Sequence, residues 1–283
     1  MPEGPEIRLA ADEIAKALVG RRVTRIGFAF EHLKNFQDRL KNQQITAVKT
    51  CGKAILTCFA NGWVIYSHNQ LYGRWYVCAP GERPDIKRQL RLEIHNRKSS
   101  ALLYSASEIE VLRQTELEAH PFLGRIGPDI LSDNPDVDCI VERMHLQAYR
   151  NRRFAGLLLD QRFLSGLGNY LRAEILTVAG LNPIAKPSDC TPAELKKLAA
   201  TILQLTRRSY RTRGVVNPPS LVKRLRASGL TRREQYRFNT YGRAGKACHY
   251  CGQTIEHSNA GGRKMYFCPG CQGQAPRSNK ANA

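Results

Sequence analysis

The sequence predicts an α+β protein with two folded regions and a metal-binding module at its end, and three observations carry this. Short β-branched and aromatic runs crowd residues 22–104, helical periodicity takes over beyond His120-Pro121, and four cysteines near the C-terminus stand as C-x2-C-x16-C-x2-C. Closely spaced strands with turn signals between them imply an antiparallel sandwich or barrel.

Taken in order, Ile7, Ala11, Ile14 and Leu18 recur at helical spacing and stop at Gly20, so an amphipathic helix with a glycine end lies directly behind the N-terminus. Strand texture follows at residues 23–30, 45–50, 54–60, 63–67, 74–78 and 90–94, separated by Gly, Asn, Pro and Lys. Ser107 with Glu110 has the spacing of a capping box and predicts a change to helix there. Helical periodicity marks residues 138–146, 154–160, 168–179 and 191–207. The last of these opens with Thr191-Pro192-x-Glu194, which combines a cap, a first-turn proline and a capping-box glutamate. Residues 211–246, with Pro218-Pro219 and Lys223-Arg224-x-Arg226, read as a basic connector of little periodicity, and the residues after Cys271 read as a polar, disordered tail.

Charge indicates the partner. Lys and Arg total 44 against 24 Asp and Glu over 283 residues, a formal net charge of +20, which predicts a polyanion-binding surface with nucleic acid as the leading ligand. No apolar run is long enough to span a bilayer, and the N-terminus lacks the apolar core of a signal peptide, so the expected location is the cytoplasm, with no membrane partner. Nine cysteines in such a chain do not suggest a disulfide framework. Cys248, Cys251, Cys268 and Cys271 have the spacing of a closed tetrahedral zinc shell, one ion with no open position and hence a structural role. Cys51, Cys58, Cys78, Cys139 and Cys190 lack ligand spacing and read as small, mostly buried hydrophobes.

Two further stretches can carry chemistry. The chain begins Met1-Pro2-Glu3-Gly4-Pro5-Glu6, and removal of Met1 would leave Pro2 as a secondary amine, a nucleophile able to form an iminium ion, beside Glu3 as acid or base. Taken alone, a proline before a helix is an ordinary start. In Phe163-Leu164-Ser165-Gly166-Leu167-Gly168-Asn169-Tyr170-Leu171, two glycines precede a helix start, and with Arg172 following in so basic a chain the stretch reads as a phosphate contact.

Together, Pro2 to Glu6, Gly52-Lys53 before a strand, residues 163–171 and the cysteine module with Arg263 ahead of Cys268 resemble the bacterial formamidopyrimidine-DNA glycosylase and endonuclease VIII family of base-excision repair enzymes, over nearly the whole chain. Within it, Ser67-His68-Asn69-Gln70-Leu71-Tyr72, Tyr104-Ser105-Ala106-Ser107 and His120 to Arg125 are most similar to the endonuclease VIII branch.

The resemblance implies an N-terminal catalytic β-sandwich with its helix (1–130), a helix-two-turns-helix DNA-binding domain (131–238), a zinc finger (239–273) and a disordered tail (274–283), with DNA in the cleft between the domains. It implies a bifunctional DNA glycosylase and AP lyase that removes oxidised pyrimidines through a Pro2 Schiff base and cleaves by β,δ-elimination. Glu3 would donate a proton, Lys53 would assist β-elimination and Arg263 δ-elimination. Gln70, Leu71 and Tyr72 would fill the gap left by the flipped base, while Arg125 and Asn169 would hold phosphates. Zn2+ is then the sole cofactor, with no small-molecule cofactor, and the partner is damaged double-stranded DNA bound by a monomer that joins the nucleoid when acting. Two alternatives keep parts of this picture: the same chemistry on oxidised purines of the 8-oxoguanine type, and a non-catalytic zinc-dependent protein that binds damaged DNA.

Overall fold

The computed structural model describes residues 2–260 and 262–273 and divides the chain into two compact units, Met1–Ile126 and Gly127–Ala283. The expected tail from residue 274 onward lies outside the described residues.

In the first unit, helix α1 (Gly4–Leu18) packs its buried face of Ile7, Ala11, Ile14 and Leu18 on two four-stranded antiparallel sheets. After β1 (Arg25–Phe28) and the short α2 (Gln37–Leu40) come β2 (Ile45–Cys51), β3 (Ala54–Phe59) and β4 (Trp63–His68). Then follow β5 (Arg74–Cys78), β6 (Leu90–His95), β7 (Ser100–Tyr104) and β8 (Glu108–Arg113). One sheet has the order β1-β6-β7-β5 and the other β2-β3-β4-β8. Period-two alternation explains the sandwich: Ile26, Phe28, Leu92, Ile94 and Leu103 from one sheet meet Ile55, Ile65, Ile109 and Val111 from the other in a single core. The outer face of the second sheet is covered as well, since Leu56, Val64 and Tyr66 pack under Leu117, Phe122 and Leu123.

The capping-box expectation at Ser107 and Glu110 is overturned here. Glu108, Ile109, Glu110 and Val111 alternate polar and apolar and pair with β4, Ile65 opposite Val111 and His68 opposite Glu108. A strand period outweighs a two-residue cap motif when a sheet edge is there to receive it.

The second unit is helical and contains α3 (Val137–His145), α4 (Phe154–Leu157), α5 (Asn169–Ala179), α6 (Pro192–Arg211), α7 (Pro219–Ala227) and α8 (Arg233–Tyr236). A β9–β10 hairpin (Glu256–Ala260 and Arg263–Phe267) and a last turn, α9 (Pro269–Gln272), complete it. Helix α5 lies at the centre, with Tyr170, Leu171, Ala173, Ile175 and Leu176 buried against α3, α4, α6 and Met265 of the hairpin. The basic connector is more ordered than its periodicity suggested: Pro219 starts α7, and Leu221 and Leu225, one turn apart, are its buried contacts. Nor does the ordered chain stop at Cys271. Gln272 is buried, its amide donating to the Leu181 carbonyl at 2.9 Å while its oxygen accepts from Cys268 N at 2.8 Å. The five scattered cysteines are half-buried, and their expected burial is only partial.

Glu174 ties α5 to the segment leading into the cysteine module. Its carboxylate accepts the backbone N–H groups of Asn239, Thr240 and Tyr241, each at 2.8 Å, and the Thr240 hydroxyl at 3.0 Å. Burial pushes this carboxyl above its ordinary range, against the pull of those donors toward the charged form. Truncation would leave three consecutive amides, those of Asn239 and Thr240 buried and that of Tyr241 partly so, without this acceptor. Glu174→Ala is therefore expected to cost about 3 to 5 kcal/mol of unfolding free energy, read from urea denaturation, and Glu174→Gln less, because one oxygen still faces Thr240 and Tyr241.

Candidate active site and nucleic-acid interface

The N-terminal residues are fixed by the helix they precede. Glu3 is the N-cap of α1 and only 2% exposed, its carbonyl accepts from Ile7 N at 3.0 Å, and its own N–H donates to the Glu6 carboxylate at 3.0 Å. Glu6 thus holds the backbone of the residue beside Pro2 and closes the first turn of the helix. Pro2 is half-buried.

Lys53 lies in the two-residue hairpin between β2 and β3, where Cys51 pairs with Ala54 and Gly52 has φ +60°, as the first central position of such a turn requires. The lysine is buried, and Ala54 beside it pairs with His68, so Lys53 and the end of β4 share one end of the sheet.

At that end the chain makes a tight loop from His68 to Arg74 that carries Gln70, Leu71 and Tyr72. Gly73 donates its N–H to the Asn69 carbonyl at 2.7 Å, and a Cβ on Gly73 would lie 2.5 Å from that oxygen, so only glycine closes the loop. Leu71 and Tyr72 project outward, 53% and 66% exposed, adjacent apolar side chains with no covering residue in their own loop. Gln70 adopts φ +50° and is held twice: its N–H donates to His68 Nδ1 at 3.1 Å and its side-chain amide to the Glu108 carboxylate. The His68 ring packs edge-on to Phe122, and Tyr66 packs on the ring of His120. His120 in turn caps the turn at Phe122 and Leu123 through Nδ1, both bonds at 3.2 Å. Arg125 ends that turn and is exposed.

In the second unit Asn169 opens α5 after Gly168. Its side-chain N–H donates to the Lys264 carbonyl at 3.1 Å, and its oxygen accepts from Arg172 at 2.5 Å. Arg172, which follows the glycine stretch expected to contact phosphate, points into the protein. It is 0% exposed and reaches the carbonyls of Ala155 and Lys264 at 2.6 and 3.3 Å, so it ties α4 and α5 to the hairpin. These contacts bring Asn169 close to β10, whose first residue, Arg263, is exposed, while Met265 two residues on is buried in the helical core.

The sulfurs of Cys248, Cys251, Cys268 and Cys271 lie within 4.8 Å of one another and could hold a metal ion. Neighbouring pairs stand at 3.3, 3.5 and 3.7 Å. Thiolates about 2.3 Å from a tetrahedral ion would be about 3.8 Å apart, so the set fits. Charge argues the same way. Burial would raise the Cys248 thiol, yet hydrogen bonds from Asn239 and the N–H groups of Cys251 and Tyr250 bring it down to about 7, whereas burial and the adjoining sulfurs push Cys271 up. One thiolate forms readily and the next is resisted, which a bound cation would relieve.

The fold and these residues define a class of enzyme, the DNA glycosylases that also cleave the emptied strand. The chain belongs to the formamidopyrimidine-DNA glycosylase and endonuclease VIII family. The family model for the formamidopyrimidine-DNA glycosylase N-terminal domain matches residues 1–106. Endonuclease 8 of Shigella flexneri serotype 5b (strain 8401) is 47% identical over 272 residues, spanning 96% of this chain and 100% of the relative. Endonuclease 8 of Escherichia coli O17:K52:H18 gives the same figures. Among solved structures, the Lactococcus lactis formamidopyrimidine-DNA glycosylase bound non-covalently to DNA containing an AP site is similar in fold, at 18% identity and a TM-score of 0.78 over 96% of this chain and 100% of that one. The same enzyme with DNA containing an oxidised pyrimidine matches equally well, at 19% identity and TM-score 0.78 over the same shares of the two chains.

Sequence reasoning missed Glu108 and Glu174. The first lies between Ser107 and Glu110, where the sequence suggests a helix start, although the alternation around it is a strand signal. The second stood out as a lone carboxylate in an otherwise apolar helical run, which is the mark of a buried, hydrogen-bonded acid.

His68 gives a pH-dependent test of the loop. Burial first and the Lys53 charge second lower it below 6.5, against the opposing pull of Glu108. A depressed histidine contributes stability that is complete above pH 6.5 and lost as pH falls toward its folded value. His68→Asn keeps an acceptor near the Nδ1 position without titrating there, and it is expected to flatten the fall in urea midpoint between pH 7 and pH 5.

Proposed function

We propose that the chain acts on damaged double-stranded DNA as a bifunctional glycosylase and AP lyase, with oxidised pyrimidines as substrate and the amine of Pro2 as nucleophile. The observation that carries this is the start of α1: a proline one residue from the N-terminus, beside a buried Glu3 whose backbone is held by Glu6. The curated relatives named Endonuclease 8 support the pyrimidine branch, and the structures of the Lactococcus enzyme on AP-site and oxidised-pyrimidine DNA support DNA as the partner.

The base must first leave the duplex, and a lesion unstacks more cheaply than a sound pair. Leu71, as apolar wedge, and Tyr72, by stacking, would occupy the gap together with Gln70. The free electron pair on Pro2 nitrogen then attacks the sugar C1′ and the base leaves with its bonding electrons, taking up the proton that the nitrogen releases; Glu3 gives a proton to the ring oxygen, the C1′–O4′ bond breaks, and the nitrogen pair closes the C1′ iminium. The resulting iminium acidifies the C2′ proton; its removal expels the 3′ phosphate, and a second elimination expels the 5′ phosphate, leaving a one-nucleotide gap with phosphate at both ends. Buried Lys53 would transfer protons during the first elimination. Arg263, exposed at the start of β10, would bind the phosphate that leaves in the second, while Arg125 and Asn169 would fix the backbone on either side. One Zn2+ held by the four cysteines would stabilise the hairpin that carries Arg263. Among the described residues no helix is long and apolar enough to cross a membrane, and we place the protein in the cytoplasm as a monomer that joins the nucleoid when acting.

Pro2 becomes an amine only when Met1 is removed. Borohydride reduction on duplex DNA containing an oxidised pyrimidine is expected to trap an adduct that mass spectrometry maps to residue 2. A form retaining Met1 should yield none, and exchange for an oxidised purine should reduce the yield. Tight binding without an adduct, from protein lacking Met1, would overturn the enzymatic reading. In a separate experiment, Arg263→Ala should leave base removal and β-elimination within about threefold of wild type while suppressing the δ-product on a denaturing gel by about tenfold or more.

A further inference from the structure

Glu108 is the point on which the loop of Gln70, Leu71 and Tyr72 is hung. Its Oε1 accepts from the Tyr66 hydroxyl at 3.0 Å, and its Oε2 accepts from the Gln70 side-chain amide. His68 Nδ1, which takes the Gln70 N–H at 3.1 Å, stands 3.9 Å from the same Oε2. The sheet register explains this convergence. Tyr66 and His68 of β4 face outward on the side covered by the 117–123 segment, and His68 pairs directly with Glu108 at the first position of β8.

The carboxylate meets a mechanical need. Gln70 is a non-glycine residue in the left-handed region, a conformation that persists only when its surroundings over-determine it. That backbone turns the next two side chains into solvent, and Arg88 holds the far side of the loop by donating to the Tyr72 carbonyl at 2.5 Å. A carboxylate beside a surface meant for a polyanion weakens DNA binding, and the chain has few to spare, with 24 acids against 44 bases. Its placement therefore opposes affinity and favours geometry.

We propose that Glu108 is the positioning residue of the gap-filling loop: by clamping the Gln70 amide, it sets the strained turn before DNA arrives, so that Leu71 and Tyr72 enter the duplex already oriented. The inference rests on the reading of Gln70, Leu71 and Tyr72 as the groups that replace the extruded base. Pre-organisation removes an ordering cost from the step in which the base is flipped, and that step exists only in a duplex.

The test is single-turnover base removal by the full-length protein on one oxidised pyrimidine, placed either in a duplex or in a single strand. Glu108→Ala is expected to slow the duplex reaction about tenfold and the single-strand reaction less than twofold. Glu108→Gln should recover the duplex rate to within about threefold, since two facing carboxamides can bond to each other. Adding Glu108→Ala to Gln70→Ala should cost less than a further twofold relative to Gln70→Ala alone. Tyr66→Phe, which removes only the hydroxyl bond, should leave the duplex to single-strand ratio near wild type. Hydrogen exchange of residues 69–76 in DNA-free protein should accelerate in Glu108→Ala while the β3–β4 core stays protected, which separates a loosened loop from a damaged fold. Equal slowing on both substrates, a full Glu108→Ala effect persisting in the Gln70→Ala background, or unchanged exchange in the loop would each overturn the proposal. If wild-type protein forms no borohydride adduct, the catalytic reading fails instead, and the exchange result still decides whether Glu108 holds the loop.

Discussion

The second unit depends on a single buried carboxylate. Glu174 sits in a helix that is apolar on nearly every side, where an acid is tolerated only with a full set of donors. Three successive backbone amides and a hydroxyl provide them, and they belong to residues 239–241, immediately before the cysteine module. The consequences run outward from there. Asn239, fixed at its backbone by Glu174, donates its side-chain amide to Cys248 Sγ and accepts from His249 N. The same helix holds the other end of the module through Asn169 and Arg172, both bonded to the Lys264 carbonyl, and through Thr177, bonded to Gln272. One helix thereby sets the position of the cysteine ligands, the hairpin and the glycine turn together.

The first unit solves a different problem, that of displaying apolar side chains without letting the loop collapse onto its own core. Two exposed hydrophobic residues on a mobile loop would fold back over the nearest apolar surface. Here strand register, a glycine with no space for a side chain, and a carboxylate on the neighbouring strand together fix the loop. At the opposite extreme of exposure, Glu3 is almost wholly enclosed, held by a helix whose N-terminal turn is closed by Glu6. Both kinds of site, one open and one shielded, are anchored to regular secondary structure.

Much of this was legible in the residues. Short β-branched and aromatic runs marked most of the sandwich strands, and the spacing of Ile7, Ala11, Ile14 and Leu18 marked α1 and its buried face. The cysteine spacing identified four sulfurs that converge. What was lost depended on contacts between distant residues. Ser107 and Glu110 have the local pattern of a cap, and only pairing with β4 shows that Glu110 lies within a strand that begins one residue after Ser107. Arg172 follows a glycine turn in a basic chain, and its burial was not visible there, because the carbonyls that claim it come from Ala155 and Lys264, 17 and 92 residues away. Helix α7 was hidden because two buried leucines among basic residues leave a weak stripe. In the first two cases a remote partner decided the outcome.

Met265 carries a last consequence. It is a hairpin residue, two positions beyond Arg263, yet its side chain completes the hydrophobic core of the helical unit. A cysteine-bound hairpin is often treated as a cassette that evolution can add, delete or exchange. In this chain such an exchange would pull a plug from the interior and strand the acceptors and donors of α5 at the same time. Descent in this lineage would therefore have to alter hairpin and helix in concert, and sequence change in one should leave its imprint on the other.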